Sequence, residues 1–275
     1  MKYYDFLVNA IGNSIEDPAK LPKGYQLIGH VVLLSIHPDL LPLADVIGEL
    51  TLEFESRSKS VGVRMGPTRG QKRIPNYKLV AGSKNTTTTH TENGIEFKLN
   101  PMRITFSRGN VNERIFLSQQ VSSDEHVVDM FACVGQFSLP IAFHSGANVL
   151  AIDINDLAYD FLCQNIRMNE VHENMTAVLG DCRDVTFRDA DRIVMGYLHD
   201  TVDYLPHALN GLRFRGGIIH MHSLVHGNDE RKIRNTIITE SSEYGFMAKI
   251  SSRPIKKYSP GVSHMVFDIN LDSNR

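Results

Sequence analysis

The chain has 275 residues, of which 42% are hydrophobic and 22% charged, a composition typical of a globular protein with one large or two modest domains. It contains no run of about 18 apolar residues, which excludes an ordinary membrane-spanning helix, and residues 1–5 lack the layout of a signal peptide. The three cysteines, Cys133, Cys163 and Cys182, lack metal-ligand spacing and are typical of buried thiols, so we expect a reducing, cytoplasmic compartment.

The net charge of −2 conceals an uneven distribution of charge along the chain. Between Arg57 and Arg114 there are 12 Lys/Arg against 3 Asp/Glu, a balance of +9, whereas residues 121–275 carry 14 basic and 20 acidic side chains, a balance of −6. A basic segment beside an acidic domain indicates contact with a polyanion such as nucleic acid. A solvated basic surface would give the same pattern, so charge alone leaves both interpretations open.

The first hundred residues are predicted to be rich in β-structure. Residues 31–36 form an apolar strand candidate, and residues 42–54 have the pattern of an amphipathic helix. The Asn93-Gly94 pair beside alternating residues predicts a β-hairpin. Residues 103–107 are predicted to form another short strand.

From Asp129 onward the pattern changes to alternating strands and helices, which is typical of parallel βαβ units. A strand, a tight turn of small residues and a helix are predicted for 127–138. Further strands are predicted in residues 149–153, 177–182, 193–197 and 218–222, helices in 158–168, 204–212 and 231–244, and an antiparallel edge in 247–251 and 265–271. We place the boundary so that 1–120 form a β-rich domain and 121–275 an α/β domain.

Three of the predicted strands end in an acidic residue: Asp129, Asp153 and Asp181. Because parallel strands bring their carboxyl ends to one edge, where open α/β sheets bind ligands, we expect the three carboxylates to lie close together. The turn after the first strand has no G-x-G-x-x-G pattern, and the chain has no P-loop lysine, so a pyrophosphate ligand is disfavoured.

These acids suit a nucleoside that carries a cationic group. Asp153 can accept hydrogen bonds from both ribose hydroxyls, Asp181 can accept from an adenine amino group, and Asp129 can lie near an amino-acid portion. The pattern therefore predicts S-adenosylmethionine as the cofactor. An acid that only caps a helix at a βα turn remains the alternative for each residue taken singly.

Several segments, in chain order, resemble the enzymes that modify guanosine 37 of tRNA. Residues 129–140 are similar to their nucleotide-binding loop, and residues 257–264 to their C-terminal signature. Similarity to their RNA-side domain is found in residues 69–75, 79–82, 90–95 and 106–114. The resemblance implies tRNA as the partner, with position 37 of the anticodon loop as the target. It also implies an α/β fold: a class I methyltransferase Rossmann-like domain with a smaller β-rich N-terminal RNA-side domain.

The two branches of this family differ after the fourth predicted strand. Its tRNA guanine-37 N1-methyltransferases resemble one another in an Asn-Leu/Pro-Pro type motif, whereas this chain has Gly196-Tyr197-Leu198-His199, which is similar to the aminocarboxypropyltransferases of wybutosine synthesis. The implied reaction transfers the 3-amino-3-carboxypropyl group of S-adenosylmethionine to the tricyclic wyosine precursor in tRNA(Phe) and releases methylthioadenosine. A tRNA guanine-37 N1-methyltransferase and a non-catalytic tRNA-binding protein remain the alternatives.

The resemblance also implies roles around the target base. Glu113 resembles the general base of the methyltransferase branch; here it either orients the base, receives a proton, or forms a structural pair with Arg114. Tyr197 and His199 are expected to border the base, although Tyr197 could equally be a core aromatic. The cofactor is expected to contact Ser107, Arg114, Asp129, Phe131, Gly135, Asp153, Ile154, Asp181, Cys182 and Gly196.

Phosphate contacts are expected from basic side chains in two segments. The first choice is the set Arg64, Arg69, Lys72 and Arg73, and the second is Lys256 with Lys257. His220, His222 and His226 lie close together in the sequence, but no Cys or acid completes a ligand set with suitable spacing, so we expect no metal.

Overall fold

The computed structural model of the protein describes residues 1–274, and the chain divides into two units between Arg108 and Gly109. The boundary predicted near residue 120 lies after the helix Val111–Ser118, which belongs to the second unit. None of the helices within residues 1–274 combines the length and the apolar character needed to cross a bilayer.

The first unit is built on a four-stranded sheet and a separate hairpin. Its helices are α1 (Tyr3–Ile11) and α2 (Ala44–Phe54), and its strands are β1 (Gln26–Ile28), β2 (Val31–Leu34), β3 (Ser60–Arg69), β4 (Ile74–Gly82), β5 (Thr88–Glu92) and β6 (Ile95–Leu99). The sheet has the order β1-β2-β3-β4. Its strands β2 and β3 are parallel, which requires a crossover connection, and α2 supplies it.

Most of the elements predicted for this unit are confirmed. The strand at residues 31–36, the helix at 42–54 and the Asn93-Gly94 hairpin are all present, each with bounds shifted by a few residues. The strand predicted for 103–107 is wrong. There the backbone N–H groups of Arg103 and Ile104 both bond to the carbonyl of Asn100 at 2.9 Å, so the chain curls into a turn while its apolar side chains are still buried.

The second unit is one seven-stranded sheet with helices on its faces. Its helices are α3 (Val111–Ser118), α4 (Ser138–Ser145), α5 (Asp156–Met168), α6 (Leu205–Gly211) and α7 (Glu230–Glu243). Its strands are β7 (His126–Asp129), β8 (Asn148–Asp153), β9 (Met175–Leu179), β10 (Arg192–Met195), β11 (Gly216–His226), β12 (Phe246–Ser259) and β13 (Val262–Ser273).

The strand order is β12-β13-β11-β10-β7-β8-β9. The five strands from β11 to β9 are parallel, and β13 and β12 complete the sheet in antiparallel fashion. The order reverses between β10 and β7, and open α/β sheets bind ligands in the crevice beyond the carboxyl ends of the strands at such a point. This arrangement confirms the predicted Rossmann-like α/β domain, including its antiparallel edge.

One face of this sheet carries a large apolar cluster. Buried side chains from six strands, among them Val128, Met195 and Met221, pack with residues of α6 and with Ile237 of α7. Burial of each such side chain stabilises the fold by roughly 1.5–3 kcal/mol. This core fixes the positions of β7, β8 and β10, whose carboxyl ends carry the residues considered next.

Candidate active site

The first strand of the α/β unit ends at Asp129, whose side chain is fully buried. Its Oδ1 accepts a hydrogen bond from the backbone N–H of Phe131 at 3.2 Å. Burial raises the pKa of Asp129 to about 7; the N–H of Phe131 opposes this shift, and the nearby charge of Asp153 adds to it. A protonated carboxyl group in such a place loses its proton when a cation binds beside it.

The turn after Asp129 requires a glycine at one position. Gly135 has φ +95°, and a Cβ there would lie 2.5 Å from the side chain of Leu139. Cys133, two residues earlier, also has a positive φ of 53°. The turn therefore keeps its backbone close to the ends of the strands, where a small ligand can approach it.

Asp153 ends β8 and holds this turn in place. Its Oδ2 accepts from the backbone N–H of Cys133 at 2.6 Å, and its Oδ1 accepts from the N–H of Asn155 at 2.8 Å. Burial raises the pKa of Asp153, and the two backbone N–H groups oppose that shift. Each carboxylate oxygen can accept a second hydrogen bond, so the two ribose hydroxyls of a nucleoside can still be accommodated.

Asp181 does not end a strand, because β9 stops at Leu179, two residues earlier. Its carboxylate is held by Arg183, with Nε–Oδ1 at 3.0 Å and Nη2–Oδ2 at 2.6 Å, and this partner holds the pKa of Asp181 below its usual range. The sequence did not indicate Arg183 as part of the site. Beside it, Cys182 is buried and its pKa is raised to about 12 by burial, so its thiol stays protonated.

Half-buried aromatic rings lie beyond the end of β10. Phe131 stacks on Tyr197 with centroids 5.2 Å apart and meets Tyr204 edge-on at 5.0 Å. His199 lies edge-on to Tyr197 at 6.2 Å and to Tyr258 at 6.3 Å. The rings of Tyr197 and His199 therefore lie near each other, and their contacts also fit a packing role, so their part in base recognition stays a prediction.

Gly196 is packed closely against Phe137. A Cβ at this position would lie 3.2 Å from the ring of Phe137, so the ring would have to move by a few tenths of an ångström to accept a side chain. Phe137 in turn lies 4.9 Å from the ring of His222, which is buried. The ring of Phe137 thus lies between Gly196 and the buried histidine.

Helix α3 contributes two neighbouring charged residues that are both buried. Arg114 approaches the loop after β7, with Nη1 3.4 Å from Oε1 of Gln136. Glu113 is paired with Arg253 of β12, and Nη2 of Arg253 lies 2.6 Å from its Oε1. The ion partner of Glu113 is therefore Arg253, 140 positions along the chain, and not the adjacent Arg114.

The two lysines predicted to contact RNA from this unit differ in their surroundings. Nζ of Lys256 donates to Oδ1 of Asn110 at 3.0 Å, and burial, together with the nearby charge of Arg114, lowers the pKa of Lys256. Lys257 is exposed. Lys256 therefore belongs to the surroundings of Arg114, whereas Lys257 is available at the surface.

The other predicted RNA contacts lie in the first unit, on the β3–β4 hairpin. Arg64, Arg69 and Lys72 are exposed, and Arg73 is half-buried at the turn with a φ of 53°. Two large apolar side chains, Met65 and Ile74, are also exposed on this hairpin. Ser107, predicted to contact the cofactor, also belongs to this unit, and its role stays a prediction.

Two of the three histidines weighed as metal ligands, His220 and His222, bond to other side chains. His220 bonds to Asp268, with Nδ1–Oδ1 at 2.5 Å, and His222 bonds to His264, with Nδ1–Nε2 at 2.9 Å. Within residues 1–274 there is no group of three or more His, Cys, Asp or Glu side chains arranged to hold a metal ion.

Comparisons with known proteins identify the family. The profile of the TRM5/TYW2 methyltransferase domain matches residues 88–245, and that of the TYW2 N-terminal domain matches residues 9–86. The tRNA(Phe) (4-demethylwyosine(37)-C(7)) aminocarboxypropyltransferase of Pyrococcus horikoshii is 40% identical over 254 residues, which are 91% of this chain and 90% of that protein. The tRNA (guanine(37)-N(1))-methyltransferase Trm5b of Pyrococcus abyssi is 30% identical over 253 residues, 91% of this chain and 76% of that protein.

A solved structure gives the same result. The crystal structure of P. horikoshii TYW2 in complex with MeSAdo matches with a TM-score of 0.84 at 35% identity, covering 98% of this chain and 99% of that one. Sequence and fold thus agree over both units, and the chain belongs to the TRM5/TYW2 family.

Proposed function

We propose that this protein transfers the 3-amino-3-carboxypropyl group of S-adenosylmethionine to the tricyclic wyosine-precursor base at position 37 of tRNA(Phe), with release of methylthioadenosine. The observation that carries the proposal is Gly196, which has no side chain and lies in close contact with the ring of Phe137. Position 196 therefore offers no amide that could hydrogen-bond guanine during N1 methylation. The relative with this transferase activity also shares more identity with the chain, 40%, than the 30% of Trm5b.

The residues at the ends of β7 and β8 fit S-adenosylmethionine. Asp153 has acceptor capacity left for the ribose, and the turn around Gly135 lets the backbone approach the nucleoside. The buried carboxyl of Asp129 offers a negative charge to the cationic methionine portion. Arg114 provides a planar, two-pronged donor that suits the methionine carboxylate.

When bound, S-adenosylmethionine would supply a sulfonium-activated carbon. A carbon of the base would form a bond to it and give up its proton to solvent, and the sulfur would leave with the electrons of the broken C–S bond as a neutral thioether. Because the leaving group is neutral, the protein does not need an anion-stabilising group beside it. We assign the main contribution to orientation, which can supply roughly 7–11 kcal/mol when reactants are well positioned. Arg114 and Asp129 would hold the two ends of the amino-acid portion, and their spacing would select the carbon that faces the base.

The identity of the small product tests this proposal. The protein is incubated with S-adenosylmethionine and tRNA that carries either guanosine or the tricyclic precursor at position 37. We expect methylthioadenosine, formed only with the precursor. Formation of S-adenosylhomocysteine with guanosine-bearing tRNA would instead identify a guanine-37 N1-methyltransferase. Binding of tRNA without any binding of S-adenosylmethionine would identify a non-catalytic RNA-binding protein.

We further propose that the β3–β4 hairpin contacts the phosphates of the tRNA. The exposed Arg64, Arg69 and Lys72 concentrate positive charge on one short arm of the first unit. The exposed apolar side chains of Met65 and Ile74 beside them could pack against sugar or base surfaces. The same arm lies in the stretch with a charge balance of +9.

The double replacement Arg69→Gln/Arg73→Gln is expected to weaken tRNA binding about tenfold or more near 0.1 M salt. Two lost phosphate contacts should also reduce the slope of log K against log salt by roughly 1.4 to 1.8, because fewer counterions are released. Filter binding at several salt concentrations measures both quantities. The matched control is Lys2→Gln/Lys23→Gln, which removes two exposed charges of the same unit outside the hairpin. An equal slope for both double variants would contradict the proposal.

A further inference from the structure

A line of buried or half-buried charged and polar side chains crosses the second unit. Its members are three acids and three bases, which come from β10, β11, β12, β13, α3 and the loop before β7. In order along the line they are Glu125, Arg192, His220, Asp268, Arg253 and Glu113. The line ends at α3, which also carries Arg114.

The first half of the line is fixed by a neutral histidine. Arg192 donates to both oxygens of Glu125 at 2.6 and 3.0 Å, and its Nη1 lies 2.7 Å from Nε2 of His220. Because arginine only donates, Nε2 of His220 accepts, so the ring carries its proton on Nδ1 and donates it to Asp268 at 2.5 Å. Burial lowers the pKa of His220, which agrees with a neutral ring.

The second half of the line centres on Arg253. Its Nε donates to Oδ2 of Asp268 at 3.1 Å, and its two terminal nitrogens donate to the two oxygens of Glu113. Its Cζ lies over the ring of Phe116, 4.5 Å from the ring centre. Glu113 and Phe116 are three residues apart on α3, so both lie on one side of that helix, and Arg253 holds that side.

These contacts leave Glu113 badly placed to remove a proton. A general base has to bring one oxygen within hydrogen-bond reach of the proton that it takes. Both oxygens of Glu113 are held by a permanent cation, and the residue is only 3% exposed. The bidentate pair is instead suited to fixing the position of a helix.

We propose that Arg253 is a positioning residue and that Glu113 is its anchor rather than a general base. By holding Glu113, Arg253 fixes α3 and therefore the next residue, Arg114, which points about 100° further round the helix toward Gln136. Arg114 is thus placed to hold the methionine carboxylate of S-adenosylmethionine. The inference rests on the proposed function only for the identity of that ligand group.

The test compares Glu113→Gln, Arg253→Gln and the double variant Glu113→Gln/Arg253→Gln. We expect each single variant to raise the KM for S-adenosylmethionine by about tenfold or more, with a much smaller change in kcat. The double variant should be no worse than either single one, because both changes break the same contact. The pH profile of kcat should keep its shape in Glu113→Gln. A general base would behave differently: Glu113→Gln alone would lower kcat by about 100-fold or more and remove the acidic limb.

The same set of variants includes controls for loss of folding. Arg253→Gln leaves the buried carboxylate of Glu113 without its cation, which can destabilise the unit, whereas the double variant leaves an uncharged amide pair at that contact; in both variants Asp268 loses the donor Nε of Arg253 and keeps His220. Arg253→Lys keeps the charge and should restore part of the affinity lost in Arg253→Gln. The matched control is Lys249→Gln on the same strand, whose pair with Asp272 is exposed and should not matter. Thermal unfolding verifies that each variant is folded.

Binding of S-adenosylmethionine, measured by calorimetry on the same variants, separates this inference from the proposed function. The Kd values of the single and double variants show whether the effects of the changes at positions 113 and 253 are coupled, and this result does not depend on which group is transferred. Formation of S-adenosylhomocysteine by the unmodified protein would overturn the proposed function and leave this coupling intact. Effects on the Kd that multiply in the double variant would overturn the positioning role of Arg253, whatever the product.

Discussion

Replacement of Asp153 by alanine is expected to weaken the binding of S-adenosylmethionine by about 100-fold to 1000-fold. A hydrogen bond to a charged group contributes roughly 1.5–3 kcal/mol, and the ribose offers two hydroxyl donors to this carboxylate. A combined loss of about 3–4 kcal/mol corresponds to two to three powers of ten in Kd. Isothermal titration calorimetry with the purified protein measures the change directly.

Part of this loss comes from the turn that Asp153 holds. The carboxylate accepts from the backbone N–H groups of Cys133 and Asn155 at 2.6 and 2.8 Å, and alanine would leave both without this acceptor. Cys133 has a positive φ of 53°, so its conformation depends on such support. Asp153→Asn keeps one acceptor oxygen, and we expect it to weaken binding less than alanine does, by about tenfold.

The matched control for this prediction is Asp160→Asn. Asp160 lies on α5, the helix that follows β8, and is exposed, so its replacement should leave the Kd unchanged. A loss of less than fivefold in a folded Asp153→Ala protein would show that the carboxylate only caps the turn and does not bind the ribose.

The parts of the site that follow from local pattern were predictable from the sequence. Asp129 and Asp153 do end β7 and β8, because a short apolar run followed by an acid is visible within a few residues. Asp181 was placed less well, since β9 ends at Leu179. The pairing of Asp181 with Arg183 was also missed, because the preferred partner of an acid is decided by side-chain geometry and not by spacing.

The contacts that join distant parts of the chain were not predictable. Glu113 and Arg253 meet because the strand order brings β12 to the edge of the sheet beside β13 and β11, and a single sequence does not reveal that order. The false strand at 103–107 has a related cause. Its apolar residues alternate because alternate side chains are buried, yet no neighbouring strand pairs with that backbone.

The affinity for S-adenosylmethionine is expected to rise about tenfold per pH unit between pH 5 and pH 7. Burial raises the pKa of Asp129 from 3.8 to about 7, so the free protein holds a proton on this carboxyl through most of that range. A bound cationic methionine portion favours the ionised carboxylate and expels the proton. The α-amino group of the ligand, with an ordinary pKa of roughly 7.7–8.0, stays charged in this window and does not supply the effect.

The stability of the unliganded protein is expected to change with pH in the direction opposite to the affinity. Because the folded-state pKa of Asp129 is raised, its contribution to the free energy of unfolding is fully present below about pH 4 and is lost as the pH rises through about 7. The unliganded protein should therefore lose stability over the range in which the ligand gains affinity. In Asp129→Asn the contribution of this residue to the pH dependence of both the affinity and the stability should disappear, because an amide does not titrate.

Calorimetry in two buffers with different ionisation enthalpies measures the proton directly. At pH 6 we expect binding of S-adenosylmethionine to release close to one proton from the unmodified protein and none from Asp129→Asn. The comparison also separates the proton of Asp129 from any proton of Asp153. Burial raises the pKa of Asp153 as well, but Asp153 is the same in both proteins. Because Asp129 is fully buried, a proton can leave it at this pH only when a positive charge replaces it. An affinity that does not change between pH 5 and pH 7 would therefore mean that the cationic end of the ligand lies elsewhere, and the proposed clamp between Arg114 and Asp129 would be wrong.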